Sequence, residues 1–150
     1  MPTHPIEVLL VEDSASDAEL ALHALHRRHL ANHIQHVQDG EEALEFLRCE
    51  GRFAGRDPNG TPKVVLLDLK LPRVDGLGVL RAMKSDPRMR EIPVVMLTSS
   101  REERDLHEAY RLGVNSFIVK PVEFDSFAEA VAQLGFYWLL LNEPPPEVEK

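Results

Sequence analysis

The stretch Val64-Val65-Leu66-Leu67-Asp68-Leu69-Lys70-Leu71-Pro72-Arg73-Val74-Asp75-Gly76 runs four apolar residues straight into a carboxylate. A short apolar run without polar alternation reads as a strand buried on both faces, the habit of a parallel sheet covered by helices above and below. Asp68 then stands at the carboxyl end of that strand, where ligands collect in open α/β sheets.

Outward from this strand the same unit recurs. Ile6 to Val11, Ile34 to Val37, Val94 to Leu97 and Ser116 to Val119 are further short apolar runs, and each is followed by a segment with helical spacing. Ala18, Ala21, Leu22 and Leu25 mark the first helix, with Ser14 or Ser16 available as its cap. Ala43, Leu44 and Leu47 mark a second helix, and Leu77, Leu80 and Met83 a third. Leu106, Ala109 and Tyr110 mark a fourth, ending near Gly113, and Phe127, Val131, Leu134 and Trp138 a fifth. Five βα units with right-handed crossovers predict a doubly wound α/β domain, a five-stranded parallel sheet in the flavodoxin-like order 2-1-3-4-5. Residues 1–143 are expected to form one domain. Gly51 to Pro62, rich in Gly, Pro and Asn, reads as an extended surface loop, and 144–150 as a Pro-rich flexible C-terminus.

Composition excludes several function classes. At 150 residues, 43% hydrophobic, the chain can bury a full core, and its net charge of -8 without a Lys/Arg run argues against a nucleic-acid partner. No run of eighteen apolar residues predicts a membrane span. The only cysteine, Cys49, precludes an internal disulfide, and a cytoplasmic setting is expected. His23, His26 and His29 step by three along the first helix and drift around its surface. With His33 and His36 they are read as a solvated face rather than a metal site.

At the predicted carboxyl ends of the strands stand Glu12 and Asp13, Asp68, Thr98 and Lys120. Carboxylates crowded at one sheet edge raise one another's pKa unless a cation neutralises them. Oxygen ligands alone favour a hard divalent ion, and Mg²⁺ takes one or two carboxylates while leaving room for a phosphate oxygen. The expected ligands are Glu12, Asp13, Asp68 and the backbone carbonyl of Lys70. A carboxylate held at the end of a rigid strand is a nucleophile suited to phosphorus once that charge is screened. Asp68 is therefore expected to become an aspartyl phosphate, with Lys120 and Thr98 meeting the phosphoryl oxygens only when the group is present.

The set VEDS at Val11 to Ser14, LLDLKLPRVDG at Leu66 to Gly76, LTSS at Leu97 to Ser100 and FIVKP at Phe117 to Pro121 resembles the receiver domain of two-component response regulators. The resemblance spans roughly Ile6 to Gly135. It implies that Asp68 is the phosphoacceptor, that Glu12 and Asp13 hold Mg²⁺, and that Thr98 and Lys120 read the phosphoryl group. It further implies that Phe117 turns inward on activation and that the Lys120-Pro121 bond is cis. The Gly51 to Pro62 loop, KSDPRMREIPVVMLTSS and FYWLLLNEPPP are similar to the single-domain regulators that partner bacterial phytochromes, which implies a light-dependent histidine kinase as phosphodonor.

Lys70 is an ammonium where many receivers carry a neutral side chain, and it is expected to alter the lifetime of the phosphoryl group. The acids of Arg101 to Asp105 suit the positive end of the fourth helix. Phe136, Tyr137, Trp138, Leu139, Leu140 and Leu141 are apolar on all sides ahead of Pro144. A patch of this kind is expected to be covered by a second copy across a two-fold axis, giving a homodimer. Onward transfer to a histidine phosphotransfer protein is one exit for the signal. Two rivals use the same residues. A haloacid dehalogenase-like phosphatase needs a second acid two positions after the nucleophile, where this chain has Lys70. A flavodoxin-type FMN binder would present hydroxyls, not Glu12 and Asp13, to its phosphate. A scaffold independent of phosphorylation leaves the whole acid, hydroxyl and lysine set without a reason.

Overall fold

A computed structural model of the chain describes residues 6–27, 33–98, 102–120 and 124–135. Five strands, β1 (Val8–Val11), β2 (Ile34–Val37), β3 (Val64–Leu67), β4 (Val94–Thr98) and β5 (Ser116–Val119), alternate with five helices. These are α1 (Ala15–Arg27), α2 (Gly40–Arg48), α3 (Gly76–Ser85), α4 (Glu103–Arg111) and α5 (Phe124–Gly135). The sheet is parallel throughout, in the order β2-β1-β3-β4-β5, as expected from the sequence. The chain steps one way from β1 to β2 and the other way to β3, so the topological switch point lies between β1 and β3.

Alternate strand residues divide the core in two. Val8, Leu10, Val64, Leu66, Val95 and Leu97 pack with Ala18, Ala21 and Leu25 of α1 and Val131 and Ala132 of α5. Leu9, Val11, Val65, Leu67, Val94 and Met96 pack on the other face with α2, α3 and α4, where Phe46, Val79, Leu80 and Met83 are buried. The small alanines of α1 let it lie close to the sheet, and α1 also packs against α5. This alternation sets the site: the side chains that follow Leu10 and Leu66 by two positions, Glu12 and Asp68, continue on the α1 face.

Local chemistry fixes where the helices start. Ser14 caps the first turn of α1, its hydroxyl accepting from the Asp17 N–H at 3.3 Å. The Asp39 and Asp75 carboxylates cap α2 and α3, accepting from Glu42 and Gly78 N–H groups at 2.8 and 2.9 Å. α3 begins on Gly76 for a steric reason. A Cβ there would sit 2.2 Å from the Asp68 carbonyl oxygen, so only glycine lets the helix start against the end of β3.

The 51–62 segment carries local turns. It opens with a 3-10 turn, Gly51–Phe53, and closes with a turn at Asp57 to Gly60. Arg56 holds it down, with its guanidinium 3.6 Å from the centroid of the Phe46 ring and donating to the Gly60 carbonyl at 2.7 Å and to the Phe46 carbonyl.

The fourth helix corrects the sequence reading. Ala109 is buried as expected, but its inward partner is Asp105, at 6% exposure, while Leu106 and Tyr110 are 37% and 53% exposed. Asp105 and Ala109 are four residues apart and share a face; Leu106 and Tyr110 are each rotated one residue, about 100°, away from it. Only one narrow strip of α4 touches the sheet. Pro121 and residues 136–141, with the expected cis bond and dimer surface, lie outside the described residues, as do His29 and Arg101.

Candidate functional site

Three strand ends and one helix turn meet at the switch point. Glu12 follows β1, Asp68 follows β3 and Lys120 follows β5, and all three side chains are buried or nearly so. Lys120 Nζ donates to Asp68 Oδ2 at 3.0 Å, to Asp17 Oδ2 at 2.9 Å and to Glu12 Oε1. An ammonium has three donors, and here each has a carboxylate. Asp68 is also held through its second oxygen, which accepts from the Lys70 N–H at 3.2 Å.

The expected acid trio is brought together. Ligand oxygens of Glu12, Asp13 and Asp68 lie within 4.8 Å of one another, with Asp13 on the exposed side and the other two buried. Among the described residues, Glu12 Oε2 is a buried side-chain oxygen without a hydrogen-bond partner. Leaving such an acceptor bare is costly, and a cation would satisfy it. Burial and the neighbouring Asp68 carboxylate push the Glu12 carboxyl up to about 9 against the pull of Lys120. In the cation-free site this shift favours the protonated form of Glu12. Burial pulls the Lys120 ammonium down, but its bonds to Asp17 and Glu12 and the charges of Asp68 and Glu12 outweigh that, and the net shift is upward. An all-oxygen trio with a bare buried oxygen fits a hard divalent cation.

The remaining predicted residues fall on other sides of this centre. Thr98 ends β4 and is fully buried; it follows Met96 toward the α4 face, and its carbonyl accepts from the Lys120 N–H at 2.6 Å. Phe117, paired in register with Met96, packs partly buried against the same core. The Lys70 side chain reaches α4, with its Nζ 3.9 Å from Asp105 Oδ2. His36 is not a free surface group: its Nε2 donates to the Glu12 carbonyl at 2.8 Å, bracing the loop that carries the acids.

Sequence reasoning missed Asp17. It lies in the first turn of α1, where an acid also suits the helix dipole. The signal present was its spacing, four residues after Asp13, one helical turn beyond the acid pair.

A family profile described as response regulator receiver domain matches residues 8–132. The chain belongs to that family. The receiver is 42% identical to the probable methanogenesis regulatory protein FilR2 of Methanothrix harundinacea over 142 residues, 94% of this chain and 88% of that protein. Among solved structures it resembles the phosphorylated cyanobacterial phytochrome response regulator RcpA, with a TM-score of 0.88 and 36% identity over 96% of this chain and all of that one, 100%. It also resembles the bacteriophytochrome response regulator AtBRR, with 55% identity and a TM-score of 0.72, covering 94% of this chain and 100% of the other. The receiver is thus related to phytochrome response regulators.

Proposed function

We propose that this receiver accepts a phosphoryl group from a histidine kinase onto Asp68, in a reaction that requires Mg²⁺, and passes the signal on through protein contacts. The observation that carries this reading is the placement of Asp68, at the rigid end of β3, bonded to Lys120 and beside Glu12 and Asp13.

Asp68 is oriented for attack because the Lys70 N–H holds one oxygen and Lys120 the other. An Asp68 oxygen forms the new P–O bond while the P–N bond of the phosphohistidine breaks, its electron pair returning to the imidazole nitrogen. Lys120 redirects one N–H from the carboxylate to a phosphoryl oxygen, which keeps positive charge where negative charge grows. Thr98 supplies a hydroxyl to a second phosphoryl oxygen, and Phe117, on the neighbouring strand and the same face, responds to its movement. Glu12, Asp13, Asp68 and the Lys70 carbonyl would hold Mg²⁺, which supplies charge to screen the carboxylates from the incoming phosphoryl group. The chain's own chemistry is limited to taking up and releasing this group.

Similarity to RcpA and AtBRR supports a bacterial phytochrome as the kinase, and hence a cytoplasmic setting. Phe136 to Leu141 form the contact of a homodimer, and a histidine phosphotransfer protein is a candidate recipient of the phosphoryl group. The test is intact mass after incubation with acetyl phosphate and Mg²⁺. One labile phosphoryl adduct is expected, absent in Asp68→Asn and absent with chelator. A folded, metal-supplied protein that takes no adduct would instead favour the phosphorylation-independent scaffold.

A further inference from the structure

We propose that Asp17 is a positioning residue that fixes the Lys120 ammonium in both the free and the phosphorylated receiver, an inference that rests on Asp68 being the phosphoacceptor. Of the three carboxylates around Lys120, two have other work. Glu12 and Asp68 belong to the trio that fits a cation, and Asp68 is the oxygen donor to phosphorus. Asp17 stands outside that trio, on α1, with Oδ2 2.9 Å from the ammonium. When Asp68 is phosphorylated it ceases to be a carboxylate and releases one donor of Lys120. Asp17 remains, so the ammonium keeps a fixed anchor while its released N–H turns to a phosphoryl oxygen.

Lys120 and the three carboxylates line a small cavity whose other lining residues are apolar, Leu10, Ala21, Leu66 and Leu97 among them. Without Asp17, a donor of a long, flexible side chain would face hydrocarbon or draw water in, and the chain would sample positions off the line to Asp68. Asp17 is itself firmly placed, because its N–H is bonded to Ser14 Oγ at 3.3 Å in the capped first turn of α1. Its side chain is one-third exposed, at 33%, so replacing it does not open the core.

Three variants, Asp17→Ala, Asp17→Asn and Asp17→Glu, test this by two readouts. In the cation-free protein, the ¹⁵N ammonium signal of Lys120, assigned by its loss in Lys120→Arg, should be visible in wild type and vanish in Asp17→Ala. With acetyl phosphate and saturating Mg²⁺, the limiting rate of adduct formation should fall about tenfold in Asp17→Ala, the scale of one charge-assisted hydrogen bond. The half-saturating Mg²⁺ concentration should stay at the wild-type value, and Asp17→Glu should restore most of the rate. Wild-type rates in both the Ala and Asn variants would overturn the proposal while leaving the Asp68 reading intact. So would a loss confined to Mg²⁺ half-saturation, which would make Asp17 a cation ligand instead. If Asp17→Ala does not fold, the isosteric Asp17→Asn carries the same comparison. No adduct on wild type would remove the Asp68 reading and this proposal together.

Discussion

Glu12 is the residue where the electrostatics of the site are most exposed to test. One of its oxygens meets Lys120, the other is buried without a partner, and its carboxyl is pushed from 4.5 up to about 9. In the unfolded chain the same carboxyl ionises near its ordinary value. Between roughly these two pH values the folded, cation-free protein holds a proton that the unfolded chain has lost. Folding then takes up a proton, so stability is greatest at the acid end of this window and falls as pH rises through it. Urea unfolding in chelator at pH 6 and pH 8.5 should show the lower midpoint at pH 8.5, and Glu12→Gln, which carries no titrating group, should flatten the difference. A midpoint that rises with pH in wild type would contradict the buried, protonated Glu12. The same residue accounts for part of what the sequence could not say. Glu12 and Asp13 are adjacent and chemically alike, yet one is buried on the α1 face and the other is exposed, because successive residues after a strand leave it on opposite sides.

The elements around the site are joined at close backbone contacts. α3 starts where a Cβ on Gly76 would meet the Asp68 carbonyl at 2.2 Å and the Leu69 Cα at 2.7 Å, both of them backbone atoms that cannot rotate away. Gly76→Ala should therefore destabilise the fold by about 1–3 kcal/mol, the cost of overpacking a tight contact, and shift the end of β3. Chemical denaturation would measure the loss, and a midpoint equal to wild type would show that the helix start is more yielding than its geometry indicates. At the neighbouring corner Arg73 adopts a left-handed φ of 68° and its guanidinium reaches Asp39 and Glu41 at 3.6 and 3.3 Å, tying the β3-α3 loop to the start of α2. α4 differs in kind. Its apolar spacing is legible in sequence, but the same spacing serves two adjacent faces. The burial of Asp105 beside Ala109, with the Lys70 ammonium 3.9 Å away, decides which face turns in. Leu106 and Tyr110 are left in solvent as a result.

Across the whole receiver the parallel sheet separates two cores, and the division of labour at the site follows it. The charged centre of Glu12, Asp17, Asp68 and Lys120 lies on the α1 side, whereas Thr98 and Phe117 continue the residues packed on the side of α2, α3 and α4. In the proposed mechanism a change at Asp68 would reach Thr98 and Phe117 across the carboxyl edge of the sheet, where the Lys120 N–H bonds the Thr98 carbonyl. The proposed homodimer belongs to this scale too, since the sequence from Phe136 to Leu141 is apolar at every position, more than a one-sided helix needs. The 17.0 kDa chain should sediment at micromolar concentration as a species of twice that mass. The double variant Trp138→Glu and Leu140→Glu should sediment as a monomer with its fold intact. A monomeric wild type would remove the dimer.

Order along the chain was enough for the architecture. The apolar runs before Glu12, Asp68, Thr98 and Lys120 are local signals, and alternation of short strands with helices leaves a right-handed, doubly wound parallel sheet as the solution that covers every strand. That sheet in turn brings its carboxyl ends to one edge, so the acid trio and the lysine could be gathered from sequence without distances. Folding in three dimensions settled what hydrophobic patterning does not encode: that Asp17 shares the Lys120 ammonium, that the Lys70 ammonium lies near Asp105, and that α4 buries an acid instead of Leu106. Each of these depends on which side chain from a distant segment fills the space opposite, and hydrophobic periodicity reports the face of an element but not its partner.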